Sequence, residues 1–294
     1  MVKSNTQNKI KQIIIISESP DLYTTKRLLH EATKQKIAAN YINPYKNTLV
    51  FKNKDSFENN LSSVCFHRTT GIRYDDQDLT LSRYYKYLGH QISNPIEHLE
   101  KFRNKDTQSI FFIENNFSSI PTISTRGNVE NDNLEKIFSI SKNQKYILKM
   151  NRGNQGIGVN FINGNKSLQS ILETFSALND QKFIIQPYIE HKTELRVFII
   201  KNKIIAIIEK TINKNEFRGN SKRSKAKVIK ELPKNIIDEV IRISKLSQLD
   251  YCGIDILITG KKYYFLEVNA VPGFKQIEEL TSINIAKELI IALN

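Results

Sequence analysis

The sequence predicts an α/β (α+β) protein of more than one layer, and three stretches carry that reading. Lys11–Ile42 reads as strand, helix and strand, the opening of a small parallel α/β layer. Lys145–Ile162 reads as strand, glycine-rich loop and strand. Ile254–Asn269 reads as a β-hairpin. The 294 residues suffice for two or three small domains with a sizeable core. Hydrophobic residues at 39% and charged residues at 25% describe a globular chain rather than a disordered one. Cys65 and Cys252, with no CxxC, make neither a disulfide framework nor a structural zinc site, and fit a reducing compartment. The apolar run Ile13–Ile16 is too short for a signal peptide, and no stretch is long enough to span a bilayer. The expected location is cytoplasmic. The net charge of +14 has two readings. One is a polyanionic partner, and the other is a compositional bias toward Ile, Lys and Asn.

Taken in order, residues 1–9 are polar and expected to fray. Lys11–Ile16 is an apolar strand, broken by Ser17-Glu18-Ser19-Pro20. Asp21–Lys36 has helical spacing with Leu22, Leu28, Leu29 and Ala32 inward, and Ala38–Ile42 is a second strand. His30 and His67 have no second ligand at metal spacing. Tyr84, Tyr85 and Tyr87 beside Leu81 and Leu88 predict a packed helix, since base stacking uses aromatics on a sheet or loop. After a connection at Asn94-Pro95, Lys101–Asn116 is predicted as one helix. Tyr146–Met150 then runs through Gly153, Gly156 and Gly158 into Val159–Ile162. Such glycines let a backbone approach phosphate and present N–H groups to it. The context is neither that of G-x-G-x-x-G nor that of a Walker A motif. A plain glycine-rich turn is the alternative, weakened by Lys149 pointing from an otherwise apolar strand.

Leu168–Leu178 is predicted helical, and Phe183–Ile185 and Glu194–Ile200 are strands. Arg196 alternates away from Leu195 and Val197, and an arginine inside a strand is costly to bury unless it meets an anion. Asn202–Glu209 continues the sheet, and Lys234–Leu246 is an amphipathic helix with Ile237, Val240, Ile241 and Leu246 inward. In the hairpin, strict alternation puts Tyr264, Leu266 and Val268 on one face and Phe265, Glu267 and Asn269 on the other. A three-residue loop at Gly260–Lys262 sets Asp255 opposite Glu267. Two carboxylates and an amide oxygen then converge at spacings of about 5–7 Å. Carboxylates so close repel unless a cation or a proton intervenes, and hard oxygen donors suit Mg²⁺. Pro272-Gly273-Phe274 turns the chain into a closing helix, Ile277–Leu293.

GIDIL followed by FLEVNAVPGF resembles the C-terminal core of the ATP-grasp carboxylate–amine ligases, in their RimK-like branch. The resemblance implies an ATP-grasp fold with a pre-ATP-grasp α/β domain at 1–100, a lid subdomain at 101–182 and a C-terminal mixed-sheet subdomain at 183–294. IIIISESPDLYTTKRLLHEA resembles the start of the first domain. Asp255, Glu267 and Asn269 match the family's ligands for the Mg²⁺ (or Mn²⁺) of MgATP. Lys105, Lys149, Gly156 and Gly158 match its phosphate-binding positions. Gln186, Pro187, Tyr188 and Ile189 match the hinge that meets adenine, and Glu194 stands where the family has the acid that reaches the ribose. The stretch from Gln186 to that acid is two residues shorter than usual. Arg196, Arg218 and Asn220 match positions that steady the transferred group. Arg68 and Arg223 match the substrate end, a surface arginine in a turn being the alternative for Arg68. The family's H-R-G-G appears as Lys222-Arg223-Ser224-Lys225.

The activity implied is formation of an amide through an acyl-phosphate, with release of ADP and phosphate. The implied partners are ATP, an amino acid such as glutamate, and a carboxylate-bearing acceptor: a protein or peptide C-terminus, or a small acidic molecule. A ligase acting on a dedicated precursor peptide is a second reading. A basic nucleic-acid-binding protein that kept the fold is a third, suggested by the run Lys222–Lys227 and opposed by the intact Asp/Glu/Asn set. Neither nucleic acid nor a membrane is expected as a partner, and a homo-oligomer is left open.

Overall fold

Four consecutive isoleucines give β1 (Gln12–Ile16) its character: it is buried on both faces, as a central parallel strand between two layers must be. The structure, a computed structural model, describes residues 10–46, 48–52, 63–126, 130–153, 156–178, 182–211 and 225–293. From β1 the chain passes through α1 (Tyr23–Lys34), β2 (Ala38–Ile42), β3 (Ser63–His67), α2 (Gln77–Tyr87) and β4 (Gln91–Ser93). These strands form a parallel sheet in the order β2-β1-β3-β4. Leu28 and Ala32 are buried as expected, but Leu22 sits at the helix N-cap and is 46% exposed.

The segment expected as a single helix is two, α3 (Ile96–Phe102) and α4 (Lys105–Glu114). Asn104 between them is extended and occupies the N-cap position of α4, without a side-chain hydrogen bond to the helix. A second sheet follows from β5 (Ile123–Thr125), α5 (Asn131–Ser139), β6 (Lys145–Met150), β7 (Val159–Asn163), α6 (Asn165–Leu178) and β8 (Phe183–Pro187). Its order is β5-β8-β6-β7, all antiparallel, around a core that includes Tyr146, Leu148, Leu168 and Ile185.

The third sheet comprises β9 (Thr193–Ile200), β10 (Lys203–Thr211), β11 (Lys225–Val228), β12 (Tyr251–Thr259) and β13 (Lys262–Asn269), with α7 (Lys234–Ser247) against it. Its order is β11-β10-β9-β12-β13. The pairings among these five strands are antiparallel, and the parallel component of the expected mixed sheet is a bridge from Ser119 to Phe265 of β13. One face carries Leu195, Val197, Ile207, Ile254 and Ile256, which cluster with Val240 and Ile243 of α7. On α7 the buried stripe is Ile236, Val240 and Ile243, and the expected Leu246 is 44% exposed. The chain closes with two helices rather than one, α8 (Lys275–Thr281) and α9 (Ile285–Leu293), separated at Ser282, which adopts φ 58°.

The first and third sheets are welded by apolar contact and by two buried polar clamps. Phe198, Ile208 and Tyr251 pack with Ile13, Ile15 and Leu28 of the first layer. Asn94 Nδ2 donates to the carbonyls of Tyr251 and Ala270, each at 2.7 Å, and Tyr251 N donates to Asn94 Oδ1 at 3.0 Å. Arg68 donates to the Pro272 carbonyl at 2.8 Å and to the Tyr251 hydroxyl at 3.1 Å, over the ring of Phe274.

A buried ion network links the first layer to the glycine loop. His67 Nε2 lies 3.2 Å from Asp78, which accepts from Arg103 at 2.8 Å. Arg103 also reaches Asp76, and Asp76 accepts from Arg152 of the loop at 2.6 Å. Burial lowers the His67 imidazole from its ordinary value, with Asp78 offsetting part of the effect. The unfolded chain takes up a proton at His67 near pH 6.5, and the native chain does so only at lower pH. Stability therefore falls as pH drops below that value, by up to about 1.4 kcal/mol per pH unit from this group. His67→Gln should show a shallower decline between pH 6.5 and 5 in urea denaturation. An unchanged slope would remove His67 as its source.

Candidate active site

Cross-strand partners share a face of a sheet. On the third sheet Arg196 pairs with Asp255, and Asp255 with Glu267. One step nearer the hinge, Lys210 pairs with Glu194, and Glu194 with Leu257. One step the other way, Phe198 pairs with Gly253, and Gly253 with Asn269. Glu194, Arg196, Lys210, Asp255, Glu267 and Asn269 thus occupy one face. This is the face that packs on the first layer through Phe198, Ile208 and Tyr251. Its charged half lies beyond that contact and floors a cleft.

The Asp255–Glu267 pairing arises differently from the expected loop. Thr259 pairs with Lys262, so the turn is the two residues Gly260 and Lys261, with Gly260 at φ 56°. The register then shifts: Ile256 faces Phe265 while Asp255 faces Glu267, and Leu266 is the extra residue of a β-bulge. The bulge corrects the expected faces. Phe265 turns into the core, with ring centroids 6.0 Å from Phe112 and 5.9 Å from Phe117, while Leu266 and Glu267 line the cleft.

Asp255 is 5% exposed and is gripped by Arg196, Nε to Oδ1 at 2.7 Å and Nη2 to Oδ2 at 2.6 Å. The same guanidinium lies 3.9 Å from Glu267. Burial works against the Asp255 charge, but Arg196 holds its carboxyl below the usual range. Burial and the neighbouring Asp255 push the Glu267 carboxyl up. One guanidinium thus contacts two carboxylates, whose hard oxygens face Lys105 and Lys149 across the cleft. The Asn269 amide oxygen, on the same face, accepts from Val271 N at 3.1 Å. Among the described residues no group of three or more His, Cys, Asp or Glu could hold a metal. The set of two carboxylates and an amide fits Mg²⁺, which completes its shell with water and phosphate oxygens.

The second sheet supplies the opposite wall. Lys149 Nζ donates to Gln186 Oε1 at 2.9 Å, and Gln186 Nε2 to Thr122 at 2.8 Å. Burial lowers the Lys149 ammonium while Glu267 pulls it back. Lys105, first residue of α4, donates from Nζ to the Gly153 carbonyl at 3.3 Å. Gly158, at φ 74°, meets Met150 so closely that a Cβ would lie 2.7 Å from its sulfur. Gly156 also adopts φ 74°. The cleft, about 910 Å³ with its solvent-open space, is lined by Lys105, Lys149, Gly156, Glu194, Asp255, Glu267 and the hinge Gln186–Ile189. Ile120, Ile147, Val159, Leu257 and Leu266 give it an apolar section. Arg196 stands behind Asp255. Arg68 is buried at the junction of the first and third sheets. Arg218, Asn220 and Arg223 lie outside the described residues.

Two residues of this region escaped the sequence reading. Lys210 is buried on the charged face, where burial and Arg196 bring its ammonium down to about 8. The signal that singled out Arg196 is missing there, since Lys210 is flanked by Glu209 and Thr211, and only its place two positions after Ile208 in a strand hints at burial. His191 lines the cleft from the hinge, and nothing in its sequence context marks it.

The fold and site together define an ATP-grasp protein. D-alanine–D-alanine ligase from Bacillus anthracis complexed with ATP superposes with a TM-score of 0.72 at 18% identity, covering 97% of this chain and 96% of that one. The ATP-grasp ligase PsnB complexed with minimal precursor, Mg and ADP gives 0.71 at 15% identity, with 96% of each chain covered. A model of the RimK-like ATP-grasp domain matches residues 105–293, and the chain belongs to that family. A probable alpha-L-glutamate ligase of Saccharophagus degradans is 32% identical over 157 residues, 52% of each protein, so this chain spans about half the length of that relative. Probable alpha-L-glutamate ligase 1 of Shewanella denitrificans is 25% identical over 293 residues, 95% of this chain and 96% of the relative. Among the described residues no helix is long and apolar enough to cross a membrane.

Arg196→Met removes the only cation hydrogen-bonded to Asp255 among the described residues. Metal-free protein should lose roughly 3–5 kcal/mol, the cost of breaking a buried pair. Millimolar Mg²⁺ should raise the variant's Tm more than the wild type's. Urea denaturation in EDTA and in Mg²⁺ measures both, and unchanged stability in EDTA would contradict the dependence on Arg196.

Proposed function

We propose that this protein is an ATP-dependent carboxylate–amine ligase that works through an acyl-phosphate and releases ADP and phosphate. The observation that carries the reading is the pair Asp255 and Glu267 on the floor of one cleft, facing Lys149, Lys105 and a glycine loop across it. A carboxylate acylates poorly because its leaving group is oxide. When its oxygen bonds the γ-phosphorus, the bond from that phosphorus to ADP breaks and a mixed anhydride forms. The amine nitrogen then attacks the acyl carbon, loses a proton to solvent, and phosphate leaves.

Positioning and charge neutralisation are the protein's contribution to such transfers. Asp255, Glu267 and Asn269 would hold Mg²⁺ (or Mn²⁺), which when bound neutralises charge on the phosphate oxygens. Lys105 and Lys149 would draw the phosphates in, with the backbone of the glycine loop beside them. Gln186–Ile189 would meet the base and Glu194 the sugar. Arg196, with Arg218 and Asn220, would steady the transferred group. Arg68 and Arg223 would serve the acceptor end, Arg68 from its seat on Pro272 and Tyr251.

For the substrates, the names of the two relatives favour glutamate as the amino acid added, and the net charge of +14 favours an acidic acceptor. A dedicated precursor peptide is the second reading, favoured by the likeness to a ligase bound to its precursor. Mass spectrometry of products from ATP, Mg²⁺, an amino-acid panel and peptide acceptors separates them: added amino-acid masses support the first, loss of water from one peptide the second.

The reaction should yield ADP and phosphate in step with amide, and Glu267→Gln should reduce turnover by at least a hundredfold with the fold retained by circular dichroism. AMP and pyrophosphate as products, or wild-type kcat in Glu267→Gln, would overturn the proposal.

A further inference from the structure

The hinge reaches β9 through only Glu190-His191-Lys192, and His191 spans that short connection. Its Nδ1 donates to the Ile189 carbonyl at 2.7 Å, and its Nε2 lies 3.1 Å from Glu194 Oε1. The ring is nearly enclosed, with a side chain 5% exposed against 13% for Glu194. Tyr188 lies beside it at 6.4 Å between ring centroids, and both residues line the cleft. With a hydrogen on each ring nitrogen, His191 ties the hinge backbone to the carboxylate at the start of the sheet, since both of its partners are acceptors.

The place of that carboxylate assigns what it meets. Glu194 precedes Arg196 by two positions on β9, about 7 Å along the strand. It lies between the hinge on one side and Asp255 with Glu267 on the other. The order along the cleft is hinge, Glu194, paired carboxylates, which matches base, sugar and phosphates. A glutamate has one more rotatable bond than an aspartate, and the freedom of an unheld carboxylate counts against any hydrogen bond it makes. His191 removes that freedom before a ligand arrives.

We propose that His191 is a positioning residue that fixes Glu194 against the ribose hydroxyls, and so makes the nucleotide site discriminate between ribose and deoxyribose. This rests on the nucleotide reading given above. The test is calorimetric binding of ADP, 2′-deoxyADP and 3′-deoxyADP with Mg²⁺, without acceptor. Wild-type protein should prefer ADP over at least one deoxy analogue by roughly tenfold to a hundredfold, the worth of a hydrogen bond to a charged group. His191→Ala should weaken ADP and leave that deoxy analogue almost unchanged, so the preference collapses toward one. His191→Gln, whose amide N–H can stand where Nε2 does, should keep part of it. Glu194→Gln, which spares the histidine, should lose the preference too, and the double variant should lose no more than either single one.

An equal loss for all three nucleotides in His191→Ala would make the residue merely structural and overturn the proposal. So would a wild-type preference retained by that variant, or a wild type with no preference. Failure of wild-type protein to bind any adenine nucleotide would overturn the nucleotide reading itself, and this proposal with it.

Discussion

Two carboxylates set directly opposite each other on a buried sheet face are the constraint on which the rest of the site depends. Asp255 and Glu267 repel, and burial makes the repulsion worse. One arginine on the neighbouring strand, with two of its nitrogens on Asp255, is the direct counterweight within the sheet. It satisfies Asp255 and leaves Glu267 half-answered. The residual negative charge is the property that a divalent cation and its phosphates can use. A bulge at Leu266 lets the same strand send Phe265 into the core and Glu267 into the cleft, two jobs that strict alternation forbids.

The same sheet face does two things along its length. At one end Phe198, Ile208 and Tyr251 pack against the isoleucines of the first layer, and at the other the face turns charged and floors the cleft. The position of the site is therefore set by where the first layer stops covering the third sheet. Asn94 and Arg68 fix that boundary with hydrogen bonds to the two ends of the hairpin. The chain from Asp78 through Arg103 and Asp76 to Arg152 carries the same layer to the glycine loop. Floor and loop are thus referred to one scaffold, which is how a cleft between sheets keeps a usable geometry.

Much of this was legible in the sequence. The first strands and helix, the glycine loop, and the opposition of Asp255 and Glu267 follow from periodicity and residue type. The bulge was not legible, because a two-residue turn with a bulge and a three-residue loop give the same pairing of Asp255 with Glu267 and differ only in the faces taken by the residues between turn and bulge, Phe265 among them. The break at Ser282 was missed because the apolar pattern runs on across it, and the break at Asn104 because it lies in the polar run 103–109, where no apolar periodicity marks either helix. The stripe of α7 was misplaced by a residue or two since isoleucines occur on several sides of it. The seat of Arg68 was not legible either, because its structural partners, Tyr251 and Pro272, lie about 200 residues away. His191 was invisible because its meaning depends on where Ile189 and Glu194 come to rest.

Electron paramagnetic resonance of Mn²⁺, titrated into protein with a non-hydrolysable ATP analogue, tests the central claim most directly. The account predicts that wild-type protein with the analogue immobilises Mn²⁺ well beyond what the analogue alone does, and that Asp255→Asn and Glu267→Gln, though folded, each lose most of that signal. Equal immobilisation by wild-type and both variant proteins would contradict the claim that this pair of carboxylates holds the metal.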